Sequence, residues 1–96
     1  MMNQISDMSF MVNPKAVRSF HDAGVVILHA GNGRLFSSNE TGARIWRGIE
    51  QRLSLDTIAS EISRAYHIAQ TTAREQTLSF LTALEQQALI RVEVAS

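Results

Sequence analysis

The sequence predicts an α+β domain: a three-stranded antiparallel meander followed by three helices, winged helix-turn-helix-like in outline. Three observations carry this prediction. Apolar and β-branched runs with turn residues between them occupy Phe10 to Ser37, the pattern of strands joined by hairpins. Apolar residues then recur at helical spacing from Gly42 onward. Between the two halves stands Ser38-Asn39-Glu40-Thr41-Gly42-Ala43-Arg44-Ile45-Trp46, which reads as the turn that closes the sheet and opens the first helix.

Taken in order, residues 1–9 are polar with scattered methionine and are expected to be poorly ordered, so the domain is assigned to residues 10–94. Phe10-Met11-Val12 is a short apolar run ended by the turn signal Asn13-Pro14. A first strand is expected over Val17 to His21, with Asp22-Ala23-Gly24 as its turn. Val25 to Ala30 is apolar on both faces and is expected to be the central strand. Gly31-Asn32-Gly33 is a hairpin turn, because both residue types tolerate positive φ. Arg34-Leu35-Phe36-Ser37 completes the meander and leaves its outer strands with free edges.

In the helical half, Asn39 fits an N-cap whose side-chain oxygen takes a free backbone amide, and Glu40 suits the positive end of the helix dipole. Gly42, Ile45, Trp46, Ile49 and Leu53 share one face of a helix from Glu40 to Arg52. Ser54 caps the second helix, in which Leu55, Ile58, Ala59, Ile62 and Tyr66 repeat the spacing. His67 to Gln70 connects it to the third, where Thr72 and Glu75 have capping-box spacing. The main apolar face of that helix is Ala73, Thr77, Phe80, Leu81, Leu84 and Ala88, and its end is expected near Gln87. Leu89 to Val94 alternates like a short terminal strand.

Composition narrows the functional classes. The chain is 45% hydrophobic and 19% charged, as a soluble globular domain is. Its 96 residues make one domain. Nine Lys and Arg balance nine Asp and Glu, so the basic footprint of a nucleic-acid binder is missing. Absence of cysteine removes thiolate metal sites and cysteine nucleophiles and fits a reducing, cytoplasmic setting. No apolar run reaches the length of about 18 residues that a membrane span needs, and Met1 to Asp7 lack the basic and apolar regions of a signal peptide. His21, His29 and His67 lack metal-ligand spacing. No Ser-His-Asp order, phosphate-binding loop or paired-carboxylate pattern is present. The expectation is a non-enzyme without cofactor or metal.

The segment Asn39 to Trp46 resembles the N-x-T-G-A-x-I-W motif of the PqqD family, the small peptide chaperones of pyrroloquinoline quinone biosynthesis, whose relatives are precursor-peptide recognition elements of other modified-peptide pathways. The resemblance extends to Phe10 through Val17 with its Asn13-Pro14, to Gly33-Arg34-Leu35-Phe36, to Leu55 through Tyr66, and to Leu78 through Leu84 followed by Leu89-Ile90. The chain departs from the family pattern at Ser38, where leucine is usual, at Ala88, where glycine is usual, and at Ala69, where an acidic helix cap is common. The resemblance implies three strands packed on three helices. It also implies that a leader segment of a precursor peptide adds as a further strand to the third strand, over a groove formed with the third helix, and is presented to a modifying enzyme, often a radical S-adenosylmethionine enzyme.

On that expectation the peptide-binding residues are Arg34, Leu35, Phe36 and Ser37 on the edge strand, with Arg74, Leu78 and Leu81 on the third helix. An edge strand supports such addition on physical grounds, since its unpaired backbone groups give affinity and alternate side chains give specificity. Leu35 and Phe36 point to opposite faces. Leu78 lies at the margin of the core face, suited to an apolar anchor, and Arg74 can pair with an acidic leader residue. For Leu81, Trp46 and Gly42 a packing role outweighs ligand contact. A winged-helix DNA-binding regulator is the alternative, with the third helix as reader, yet that helix sets Arg74 against Glu75 and Glu85 and has no lysine. A dimerisation or scaffold domain is a weaker third reading.

Overall fold

A computed structural model describes residues 8–94. Five strands and three helices follow one another as β1 (Met8–Val12), β2 (Ala16–His21), β3 (Gly24–His29), β4 (Leu35–Ser38), α1 (Glu40–Glu50), α2 (Leu55–Tyr66), α3 (Gln70–Gln86) and β5 (Ile90–Val94). Strands β2, β3 and β4 form an antiparallel meander in that order, so β3 is central and β4 is an edge. The α+β meander-then-helices architecture expected from the sequence is the one found.

Sequence reading left one strand out. Phe10-Met11-Val12 is more than an apolar run before a turn: it belongs to β1, which pairs antiparallel with β5 as a separate two-stranded sheet, Val12 opposite Ile90 and Phe10 opposite Val92. The expectation of poor order over residues 1–9 falls, for residues 1–7, outside the described residues, while Met8 and Ser9 begin β1. Asn13 fastens this ribbon to the rest. Its N–H donates to the Leu89 carbonyl at 2.9 Å, its side-chain amide donates to the Ala88 carbonyl at 2.8 Å, and its side-chain oxygen accepts from the Lys15 N–H at 2.9 Å.

Inward-facing residues of the meander, Val25, Ile27 and Phe36 among them, pack against the helices. Helix α1 supplies the centre of the core. Asn39 caps it by accepting from the Gly42 N–H at 3.0 Å, and Ile45, Trp46 and Ile49 are fully buried. The Trp46 indole N–H donates to Glu50 at 2.9 Å. Ser54 caps α2 through the Thr57 N–H.

Two helix boundaries differ from the sequence reading. Helix α1 stops at Glu50 rather than Arg52, because Arg52 turns left-handed (φ 64°) and the Leu53 N–H reaches back to the Gly48 carbonyl at 3.0 Å, a Schellman closure. Helix α3 starts at Gln70, with Ala69 as an N-cap that has no side-chain bond. Thr72 and Glu75 therefore lie inside the helix and form no capping box. At its other end Ala88 is left-handed (φ 59°) and the Leu89 N–H donates to the Leu84 carbonyl at 3.0 Å, the same closure as in α1. The Arg44 guanidinium overlies the Tyr66 ring at 5.5 Å, and the Tyr66 hydroxyl is buried without a hydrogen-bond partner among the described residues.

Candidate functional site: an open strand edge beside a groove

Strand β4 is held in place from both ends. At its start, the Gly31 and Asn32 N–H groups donate to His29 Nδ1 at 3.0 and 3.3 Å, and the Arg34 N–H donates to the Asn32 side chain at 2.9 Å. These bonds fix the tight turn in which Gly33 takes φ +75°. At its finish, Gly24 lies so close beneath the Ser38–Asn39 peptide that a Cβ there would overlap the Ser38 carbonyl oxygen. The strand-to-helix junction thus rests directly on the β2–β3 turn.

The ladder register decides which backbone groups of β4 are free. Leu28 pairs with Leu35, Ile27 with Phe36 and Val26 with Ser37, and the His29 N–H donates to the Arg34 carbonyl at 2.9 Å. Hydrogen-bonded and non-hydrogen-bonded pairs alternate along an antiparallel ladder. Arg34, Phe36 and Ser38 therefore direct their backbone groups at β3, whereas Leu35 and Ser37 direct theirs at the open edge.

Side chains divide the other way. Phe36 faces the helices and meets Phe80 of α3 edge-on, ring centroids 5.7 Å apart. Leu35 faces outward and is 70% exposed, and Ser37 is exposed beside it. Beyond Phe36 a groove of about 680 Å³ separates the end of β4 and the start of α1 from α3. Ser38, Thr41 and Gly42 line one wall, and Gln76, Phe80 and Ala83 the other. Gly42 keeps this groove open: a Cβ would overlap the Ser38 side chain and come within 2.9 Å of the Phe80 ring. Ser38 itself is half-buried at the rim, which a small polar side chain tolerates where leucine would fill the space. Glu75 stands at the mouth and has no ion-pair partner among the described residues.

Of the sequence-expected site residues, Arg34 through Ser37 lie on or at the start of this edge strand. The three from α3 do not join them. Leu81 is buried in the core at 2% exposure. Leu78, 39% exposed, opens with Leu81, Phe10 and Val92 onto a different depression beside the β1–β5 ribbon, and on its other side onto a shallow one that shares Glu75, Ser79 and Ala83 with the groove. Arg74 pairs with Asp56 of α2 at 3.6 Å. The helix face that does meet the groove is Gln76, Phe80 and Ala83, spaced i, i+4 and i+7. Phe80, which the helical spacing assigns to the core face, borders that face. The signal that marks it as groove is the pair of small neighbours, Ser79 and Ala83, which leave the ring half-exposed.

A further cleft of about 570 Å³, lined by Val12, Asn13, Pro14, Ala88 and Arg91, shares no residue with this groove or with β4. Among the described residues no cluster of three or more His, Asp or Glu side chains could hold a metal ion, and no helix is long and apolar enough to cross a membrane.

Comparison with known proteins agrees with this fold. The family model described as Coenzyme PQQ synthesis protein D (PqqD) matches residues 24–90, well over half of the chain. Among solved structures, TbiB1 in complex with the TbiA(beta) leader peptide is similar at a TM-score of 0.79 and 27% identity, over 84% of this chain and 94% of that one. Lasso peptide synthetase B1 complexed with the leader peptide shares the fold at a TM-score of 0.78 and 22% identity, over 85% of this chain and 96% of that one. No curated protein matches the chain in sequence.

Proposed function

The chain belongs to the PqqD family, and on that premise we propose that it is a non-catalytic peptide chaperone of modified-peptide biosynthesis, which binds the leader segment of a ribosomal precursor by strand addition and presents it to a modifying enzyme. The observation that carries this reading is the open β4 edge, with Leu35 and Ser37 offering unpaired backbone groups beside a groove walled by Phe80. Strand addition satisfies those groups and lets every second ligand side chain enter the groove. The receiving enzyme is of the radical S-adenosylmethionine type or another modifying class. The chaperone itself needs no cofactor, acts in the cytoplasm and uses neither nucleic acid nor membrane. A winged-helix DNA reader gains no support from α3, whose Arg74 is engaged with Asp56 and whose groove mouth carries Glu75.

The test is calorimetric titration of the chain with synthetic leader segments of the short peptides encoded beside its gene. One of them is expected to bind at one per chain. Proline at Ser37 removes an N–H that faces the open edge, so it should weaken binding at least tenfold while leaving the fold intact, as proline is tolerated on an edge. Proline at Phe36 is the wrong probe, because that N–H serves the ladder to β3. If no neighbouring peptide produces heat, or if Ser37→Pro binds as wild type does, the proposal is wrong.

A further inference from the structure

Leu35 is the most exposed large apolar side chain among the described residues, at 70%, and it stands on an open edge. Bare apolar edges invite uncontrolled pairing, and proteins ordinarily blunt them with charge, proline or a bulge. None of these devices occurs within β4, Leu35-Phe36-Ser37-Ser38. The exposed leucine is also the end of a row. Val17, Leu28 and Leu35 lie directly across from one another on the outer face of the meander, with Val17 56% exposed. The neighbouring row, Ser19, Val26 and Ser37, is polar at both ends. A single apolar row therefore runs across the sheet and stops, unfinished, at β4.

The backbone groups of Leu35 point to the open edge, as the register requires. A residue that takes both of them sits directly across from Leu35, with Cα atoms about 5.5 Å apart, and its side chain falls on the outer face, away from the groove. We infer that the peptide added to β4 is read on both faces of the sheet: besides the side chain entering the groove, it carries one outward apolar residue across from Leu35, which completes the row Val17–Leu28–Leu35 as a fourth rung. This rests on the strand-addition reading and names the ligand more closely, as an extended segment whose groove residue is next in sequence to an apolar, preferably β-branched or aromatic, residue on the opposite face.

A second copy of the chain is a poorer occupant. Two-fold pairing of β4 with itself, faces aligned, either places Leu35 across from Ser37 or Asn39 of the other copy, where the leucine still lacks an apolar neighbour, or places Leu35 across from Leu35 and Ser37 across from Gly33, whose φ is +75° and whose N–H already donates to the His29 carbonyl at 2.8 Å.

The experiment is a display selection of random twelve-residue peptides on the full chain, repeated on Leu35→Glu. Leu35 is exposed, so the variant should unfold at the wild-type urea midpoint. Wild type is expected to enrich apolar residues at one position beside the groove anchor. Leu35→Glu is expected to convert that position to Lys or Arg and leave the anchor unchanged. In a selected peptide, serine at that position should weaken wild-type binding about two- to fivefold, the scale of a cross-strand pair, and Leu35→Ser binding hardly at all. Identical preferences for wild type and Leu35→Glu would overturn the inference while leaving strand addition standing. Enrichment of no peptide by wild type would remove both. A concentration-dependent dimer dissolved by Leu35→Glu would show that a second copy covers the row, and would overturn the inference as well.

Discussion

Replacing Ala88 by glycine should make the protein more stable, although it deletes a methyl group. Ala88 holds φ 59° at the end of α3, the left-handed region that costs an L-residue about 1–2 kcal/mol. Glycine adopts it freely but loses more backbone freedom on folding, which takes back about 0.4–1 kcal/mol. The Ala88 side chain is exposed, so almost no packing is lost. Both backbone bonds of the closure, Ala88 N–H to the Glu85 carbonyl at 2.9 Å and Leu89 N–H to the Leu84 carbonyl at 3.0 Å, are unaffected. The net gain is about 0.5–1 kcal/mol, or a few degrees in Tm for a domain of this size. Trp46, fully buried and the single tryptophan, reports unfolding in urea by fluorescence. The midpoint should rise with the m-value unchanged, since the exposed surface is the same. The same exchange at Ala65, exposed within α2, should move the midpoint the other way, by about 0.5–1 kcal/mol. Valine at residue 88 should lower it. A fall in the midpoint for Ala88→Gly would refute the reasoning and mean that the methyl group makes a stabilising contact.

Three other perturbations separate the groove from the fold. Phe80→Ala removes the edge-on partner of Phe36 and one groove wall. It should cost about 2–3 kcal/mol of stability, below the range for fully buried rings because the side chain is half-exposed, and reduce leader affinity more than tenfold by calorimetry. Gly42→Ala gains about 1 kcal/mol of helix propensity but forces a Cβ onto Ser38 and Phe80, an overpacking cost of about 1–3 kcal/mol. Stability measured in urea should fall slightly and leader binding should fall further. His29→Leu deprives the Gly31 N–H of its acceptor and should cost about 1–3 kcal/mol. Amide hydrogen exchange should then speed up in the Ala30–Arg34 turn before it does in α1.

What the sequence made legible were features set by neighbours in the chain. Asn39 and Ser54 act as caps because each needs only an amide three residues away. The Gly31-Asn32-Gly33 turn and the alternation of Leu35 with Phe36 are equally local. The misses arose where distant segments decide. Nothing near Phe10 announces that its partner is Val92, because a β pair is specified by both strands at once and the two lie at opposite ends of the described chain. The end of α1 differs because Arg52 adopts a left-handed conformation that side-chain identity does not advertise, and the start of α3 differs because Ala69 holds the N-cap without any side-chain bond to mark it.

The helix side of the groove departs from the sequence expectation for a different reason. Periodicity ranks residues by distance from one apolar stripe, and α3 touches structure on more than one side. Its core stripe of Ala73, Thr77, Leu81 and Leu84 is buried. Leu78 lies on one flank, toward Phe10 and Val92, and Phe80 on the other, toward β4. From sequence both flanks are margins of the same face, and the larger open aliphatic residue attracts the assignment. Only the placement of β4 breaks the symmetry, and that placement is fixed outside α3, by Gly24 beneath Ser38 and by His29 at the turn. Residues that merely aim the edge strand thus determine which flank of α3 becomes a wall of the groove. A substitution at Gly24 should consequently weaken peptide binding without touching the peptide, because a side chain there must push the Ser38–Asn39 peptide, and with it the end of β4, away from α3 or into it.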